Sequence, residues 1–340
     1  MRTSSPQTLR RSVVVTTGLA LVVAAAGCEQ SSDGGGGGET TDYPSETIEI
    51  MVPAAAGGGW DLTGRNMQKV LQDEDISSEP VEVVNVEGGG GATGLSQLTS
   101  REKGNAHELM ITGLVMIGAL EQANSPVQLN AATPIATLTA ESEAFVVPAD
   151  SPYQSIADVV AAYEKDPKSV TFGGGSAGGS DHLVAGQLVQ AAGAEPADLK
   201  YVGYSGGGEA TAGILSGDVA VGVSGLSEFE PHIESGKMRL LAISTTDEIE
   251  VAGKPAPTLK DEGYDVDFAN WRAVVAPPDI SDGERDAIIE MVDTLHESEG
   301  WKAVLEEQGW TDFYRTGDEA KAYIDEETER ISGLMEELGL

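Results

Sequence analysis

A two-lobed α/β fold is predicted for this 340-residue chain by three observations. Strand-like and helix-like runs alternate along most of its length. The turns leading from strand into helix are rich in glycine, serine and threonine, and the alternation breaks at two places. Alternation of this kind implies strands lying largely parallel and covered by helices. The two breaks read as passages between one α/β lobe and another.

The elements follow in order. A strand is read at 47–52 and a helix at 62–71, then a strand at 81–85, a helical segment around Leu95 and Leu98, and a strand at 109–112. The helix at 155–165 carries Ile156, Val159, Val160 and Tyr163 on one face. A β-type run at 170–172 leads to a helix starting near Ser180, with Leu183, Val184, Gln187 and Leu188 at helical spacing. Strands at 201–204 and 219–223 flank a helix over 209–215, and 239–243 is a further strand. Ser281 caps a helix carrying Ile288, Ile289, Val292 and Leu295, and the last helix covers 318–338. The first break, 134–147, joins strand-like 135–138 to 145–147 with no helical stretch between; the second, 244–257, is polar and marked by proline. As crossovers they define a discontinuous first lobe, 44–140 plus 250–340, and an inserted second lobe, 141–249.

Length and a hydrophobic fraction of 40% suffice for two cored domains or one large unit. The formal charge of −36 is extreme. It excludes non-specific nucleic-acid binding, which needs a basic face, and suits a solvated acidic surface. Such a field repels anionic ligands at long range, so an anion site here must win locally through dense, dry donors.

The N-terminus reads as a processing signal. Arg10 and Arg11 precede an apolar run over 13–27, at about fifteen residues too short to span a bilayer. It ends in Ala25-Ala26-Gly27-Cys28, and Cys28 is the only cysteine. Residues 1–27 resemble a bacterial lipoprotein signal, with Cys28 lipidated as the new N-terminus and Ala25 where leucine is usual. The alternative is an ordinary secretory signal with an incidental cysteine. Residues 9–13 also loosely match a twin-arginine export signal. Since 1–27 hold Arg2, Arg10 and Arg11 and no acid, a chain starting at Cys28 carries −39. Residues 28–43, almost all Gly, Ser, Thr and acid, form a flexible tether that holds the domain roughly 20 Å from the membrane. With its one cysteine at the anchor, the domain is stabilised by packing without disulfides.

Glycine-rich turns recur at Ala56-Gly57-Gly58-Gly59-Trp60-Asp61, Glu87-Gly88-Gly89-Gly90-Gly91, Thr112-Gly113, 173–179, Ser205-Gly206-Gly207-Gly208 and Ser224-Gly225. Glycine lets backbone N–H groups approach a ligand together, and a helix start adds the positive end of its dipole. In open α/β sheets ligands bind outside the carboxyl ends of the strands, where these turns lie. Six in one chain favour a shared anion-binding role over tight turning alone. Asp61 and Asp181 stand at helix starts and read as caps, and Arg65 pairs with Asp61. His182 is open between ligand contact and an ordinary polar position. Trp60, Trp271 and Tyr204 either wall a cleft or pack in the core, and Glu209 either complements a helix dipole or accepts from a ligand hydroxyl.

Gly174-Gly175-Ser176-Ala177-Gly178 fits G-x-S-x-G, the nucleophile elbow of serine hydrolases, with His232 or His296 needed to complete a triad. Glycine is so abundant that the pattern arises easily. The first-strand dinucleotide fingerprint and the phosphate-loop GK[ST] are both missing, and the acids and histidines lack metal-ligand spacing. No cofactor and no protein-held metal are expected.

Taken in order, several motifs resemble the tricarboxylate-transporter solute receptors, the TctC (Bug) family. They are Pro53-Ala54-Ala55-Ala56-Gly57-Gly58-Gly59-Trp60-Asp61 with Arg65, Val84-Asn85-Val86-Glu87-Gly88-Gly89-Gly90-Gly91, and Gly174-Gly175-Ser176-Ala177-Gly178-Gly179-Ser180-Asp181-His182. Tyr204-Ser205-Gly206-Gly207-Gly208-Glu209-Ala210, Pro257-Thr258-Leu259-Lys260-Asp261-Glu262-Gly263 and Asn270-Trp271-Arg272 before Ala276-Pro277-Pro278 continue it. Trp60 replaces a proline common in the family's first loop, and a glycine in the 87–91 loop does likewise.

The resemblance implies a two-lobed periplasmic-binding-protein fold of the Venus flytrap kind, type II-like, with the ligand cleft between lobes. It implies an extracytoplasmic, lipid-anchored monomer that captures a small carboxylate, without covalent chemistry, and delivers it to the permease subunits of a tripartite transporter. Citrate or another tricarboxylate ranks first; dicarboxylates, amino-dicarboxylates and aromatic carboxylates stay open, as does a cation bridging the ligand. Backbone amides, hydroxyls and water, rather than arginine clamps, would hold it. By motif position Gly58, Gly59, Trp60 and Asp61 hold one end of the ligand, and Ser176, Gly179, Ser180 and Asp181 with Gly207, Gly208 and Glu209 the other. Thr112 and Gly113 line the wall. An ionised carboxylate facing an anion is unfavourable, so Asp61 and Asp181 are expected to organise donors. The alternatives are a periplasmic carboxylate sensor feeding a signalling partner and a hydrolase using Ser176.

Overall fold

The structure, a computed structural model, describes residues 43–204, 207–246 and 248–340. The expected signal at 1–27, the lipidation at Cys28 and the tether apart from Tyr43 lie outside the described residues, as do Ser205 and Gly206. Among the described residues no helix is long and apolar enough to cross a membrane.

In chain order the elements are β1 (Ile48–Val52), α1 (Gly59–Asp73), β2 (Val81–Asn85), α2 (Ala92–Arg101), β3 (Glu108–Gly113) and α3 (Leu114–Gln122). Next come β4 (Thr133–Pro148), α4 (Ile156–Lys165), β5 (Thr171–Gly174), α5 (Ser180–Ala191), β6 (Lys200–Gly203), α6 (Gly207–Ser216), β7 (Val221–Gly225), α7 (Leu226–Glu234) and β8 (Met238–Ile243). After a short hairpin, β9 (Glu250–Val251) and β10 (Lys254–Pro255), the chain closes with β11 (Ala269–Ala276), α8 (Asp282–Glu297), α9 (Glu299–Gln308), β12 (Thr311–Thr316) and α10 (Gly317–Leu338).

One strand organises the sheet. β4 runs 16 residues without a break, so the two strand pieces expected at 135–138 and 145–147 are one element. Its first part pairs with β11 and β12, and its last part with β7 and β8. Around it the order is β2-β1-β3-β11-β4-β7-β5-β6. The expected largely parallel sheet is therefore corrected to a mixed one. β1 lies parallel to β2 and β3, and β5 to β6 and β7, as βα units require. Every partner of β4 is antiparallel, and so is β11 against β3, because these strands carry the chain between the two parallel groups.

Local chemistry explains most boundaries. Ser155 and Ser281 both close capping boxes, with Asp158 and Glu284 respectively. Gly309 and Gly339 end α9 and α10 in the left-handed conformation that glycine adopts without strain. Helix α3 is apolar on every side, with Leu114, Met116, Ile117 and Leu120 all buried, so it shows no amphipathic stripe. Pro231 lies inside α7. The result that matters for function is positional: β1, β3, β5 and β7 each run directly, or through one glycine loop, into a helix start.

Candidate ligand-binding site

At the start of α1, Gly57 sits at φ 90, a conformation that favours glycine. Its N–H donates to Asp61 Oδ2 at 2.9 Å, and Arg65 Nε donates to the same oxygen at 2.8 Å. Asn85 Nδ2 donates to Asp61 Oδ1 at 2.9 Å and to the Ala54 carbonyl at 3.0 Å. Burial alone would raise the Asp61 pKa; the bonds from Arg65, Gly57 and Asn85 outweigh it and hold the carboxyl below its ordinary value. Buried Asp61 thus fixes the loop, while Gly58 and Gly59 open the helix. Trp60 is nearly buried, its indole lying over Gly91 and its Nε1 near Gly113. Thr112 is fully buried, and its hydroxyl donates to the Met116 sulfur at 3.3 Å.

The loop before α5 is held in the same way. Gly175 N–H donates to Asp181 Oδ2 at 2.5 Å, and Tyr201 Oη donates to the Gly175 carbonyl at 3.0 Å. Gly178 N–H donates to His182 Nδ1 at 3.1 Å, and the imidazole stacks on Tyr201 at 4.2 Å. His182 must be neutral to accept there, and burial pushes its pKa down to about 4. This resolves the open reading of His182: the ring shapes the loop. Ser180 Oγ donates to Asp181 Oδ1 at 2.8 Å. The loop lies on α3, with Gly178 against Gly118 and Gln122, and Gly179 against Val115. Gly207, Gly208 and Glu209 form the first turn of α6, with Gly208 and Glu209 exposed.

Between these helix starts lies a buried polar group that the sequence reading does not select. Glu141 accepts from Ser227 N–H at 2.8 Å and from Ser227 Oγ at 2.5 Å at the start of α7, and it pairs with Arg272 Nη2. Arg272 lies against the start of α1, where a Cβ on Gly59 would be 2.6 Å from Nη2. Glu143 is fully buried; burial first, and then the neighbouring Asp181, push its pKa well up. Burial also raises Asp181, despite the hydrogen bonds it accepts. Glu228, which accepts from Ser224 Oγ at 3.0 Å, is pushed up to about 7 by burial and by Asp181 and Glu141. The available signal was the pair of acids in the Glu141-Ser142-Glu143 run of a strand with no other charged residue, together with the lone arginine of the Asn270-Trp271-Arg272 motif.

The remaining candidates fall elsewhere. Trp271 is fully buried and its Nε1 donates to Glu327 Oε2 at 2.8 Å, a core position. Tyr204 packs on the cluster around β7 and β8, its hydroxyl against Gly213. His296 stacks on Tyr314 at 3.8 Å and pairs with Asp312 at 3.0 Å, and His232 lies near the end of α7. Neither arrangement supplies Ser176 with a base. Among the described residues no group of three or more His, Cys, Asp or Glu is arranged to hold a metal ion.

The family model described as the tripartite tricarboxylate transporter family receptor, TctC, matches residues 77–340. Protein BugT of Bordetella pertussis is 27% identical over 306 residues, which cover 87% of this chain and 90% of that one. Among solved structures, an R. palustris protein with adipate superposes with a TM-score of 0.78 at 19% identity, over 88% of this chain and 99% of that one. MatC of Rhodopseudomonas palustris, solved with bound malate, gives 0.74 at 18% identity over 86% and 99%. These likenesses show a shared fold.

Proposed function

The chain belongs to the tripartite tricarboxylate transporter receptor family, and from that premise we propose that it captures a small carboxylate in a cleft between two lobes. It is a solute receptor of the extracytoplasmic kind; the ligand, the anchor and the lobe boundaries are our reading. The lobes are 44–140 plus 250–340 and 141–249, joined through β4 and the segment after β8. The ligand's carboxylates bridge the starts of α1 and α5, using Gly58, Gly59 and Trp60 on one side and Ser176, Gly179 and Ser180 on the other. Gly207, Gly208 and Glu209 border the second side. Asp61 and Asp181 act through the loops they fix.

The observation that carries this reading is how both loops are built. In each, one glycine N–H is drawn back onto a buried aspartate, Gly57 onto Asp61 and Gly175 onto Asp181, and in our reading the helix start that follows is turned toward ligand. Anions are favoured at such starts, and desolvation on closure strengthens the bonds. Malate and adipate in neighbours of the same fold support the carboxylate class. Citrate is the first ligand we assign, with delivery to membrane permease subunits and anchoring through Cys28.

Thermal unfolding of the purified chain against citrate, malate and adipate, with and without Mg²⁺, tests this. A ligand bound only by the folded state adds about 2.7 kcal/mol of stability at a hundredfold excess over Kd. Ser176→Ala should then weaken binding roughly tenfold, the scale of one hydroxyl bond. A folded protein whose melting temperature ignores every carboxylate overturns the assignment. Ester hydrolysis abolished by Ser176→Ala would replace it with the hydrolase reading.

A further inference from the structure

Arg272 and Trp310 stand out once the buried donors are matched with acceptors. Arg272 is 4% exposed and Trp310 5%. Arg272 Nη2 pairs with Glu141, but among the described residues neither Arg272 Nη1 nor Trp310 Nε1 has a hydrogen-bond partner. The two side chains are stacked, the guanidinium carbon 4.8 Å from the indole centroid. Thr139, directly opposite Arg272 in the β4–β11 ladder and so on the same face, is fully buried with its hydroxyl also unpartnered among the described residues. The guanidinium lies against Gly59, the first residue of the 15-residue helix α1, whose leading N–H groups have no acceptor within the helix.

Buried donors without acceptors are rare in folded proteins and mark a place where a further acceptor belongs. Here a cation arm, an indole N–H, a hydroxyl and a helix start share one spot. Of the acids around it, Glu141 engages the other arm of Arg272 and the start of α7, while Glu228 is hydrogen-bonded by Ser224 and gives Nη1 no partner among the described residues. We propose that Arg272 Nη1 and Trp310 Nε1, with the first turn of α1, form a carboxylate subsite at the deep end of the cleft. The inference rests on the receptor reading above and extends it: one carboxylate of the ligand is held by a charged side chain, not by backbone donors alone. Glu141 has a matching role, holding the fork so that only its second arm is offered. A guanidinium suits this because its donors are fixed in a plane, and lysine cannot offer two arms at once.

The test compares Arg272→Lys, Trp310→Phe and Trp301→Phe in the full chain by calorimetric titration with citrate, malate and adipate. Arg272→Lys keeps a cation for Glu141 but loses the second arm, and Trp310→Phe keeps a ring over the cation but loses the N–H. Trp301 supplies the control: its Nε1 is also buried and unpartnered among the described residues, but it follows Gly300, whose N–H bonds Glu74 at the far end of α1. The subsite predicts that the first two variants bind about ten- to a hundredfold more weakly while Trp301→Phe matches the parent. If the parent binds a carboxylate and both variants bind equally well, the subsite is wrong and the receptor reading stands. A parent that binds none of the three overturns both. Equal weakening by Trp301→Phe assigns the effect to packing and also overturns the subsite. Should Arg272→Lys fail to fold, Trp310→Phe decides alone.

Discussion

The carbonyl oxygen of Gly178 occupies the space that a Cβ on Gly118 would fill. The glycine loop before α5 can therefore sit on α3 only because position 118 carries no side chain. In a helix interior alanine is favoured over glycine by about 1 kcal/mol, so on propensity alone Gly118→Ala should stabilise α3. The contact reverses that. We expect the variant to fold, to lose the docking of residues 176–179, and to bind carboxylates at least about tenfold more weakly, because a 1 Å displacement of donors is enough to break their bonds. Titration of Gly118→Ala with citrate checks this; parent-like affinity would show that the loop contact plays no part in binding.

Glu228 gives a pH prediction whose sign is fixed by its surroundings. It faces Asp181 from α5, Glu141 and Glu143 from β4 and Arg272 from β11, and its pKa is about 7 in the folded protein. A carboxyl raised on folding contributes stability that is fully present below its unfolded value of about 4.3 and is lost as pH rises through about 7. Glu228→Gln keeps an acceptor for Ser224 and cannot ionise. Relative to the parent, its melting temperature should be similar at pH 4.5 and higher at pH 8. A constant difference across that range would mean that Glu228 does not titrate there.

Much of this architecture is legible in the sequence, for reasons that are local. Ser155 with Asp158 and Ser281 with Glu284 announce helix starts within four residues, and Asp61 with Arg65 is one helical turn. The glycine turns likewise mark where strands meet helices. What stays hidden depends on distant partners. Glu141 and Glu143 look like a polar interruption between two short strands, yet they lie mid-strand, because α5, α7 and β11 bring Ser180, Ser227 and Arg272 to them. Arg272 sits in a strand buried along nearly its whole length, where no alternation separates one face from the other. Its approach to the start of α1 is hidden for that reason: the residue reaches Gly59 from more than two hundred positions away.

Asp61 offers a test of loop organisation separate from ligand contact. Asp61→Ala removes the acceptor shared by Gly57 N–H, Arg65 and Asn85. Leaving buried donors unmatched costs about 1–3 kcal/mol. Since the folded pKa lies below the unfolded one, the contribution of Asp61 is present above about pH 4 and disappears as pH falls through the folded value. Denaturant melts should therefore show Asp61→Ala less stable than the parent at pH 7 and converging with it near pH 2. A gap that persists at pH 2 would place the loss in packing, not in the charge.

The net charge of −36 makes a prediction about salt that separates two kinds of anion site. A carboxylate approaching this surface is repelled at long range, and the repulsion is felt over a Debye length of about 30 Å at 0.01 M salt but only about 8 Å at 0.15 M. The guanidinium of Arg272 is buried and the donors at the starts of α1 and α5 are half-buried or buried, so the same ions affect them less. Raising salt across this range should therefore speed association with citrate, leave dissociation nearly unchanged, and tighten binding. Stopped-flow titration at the two salt concentrations measures both rates. Binding that weakens steadily with salt would mean that exposed cations, not buried donors, hold the ligand.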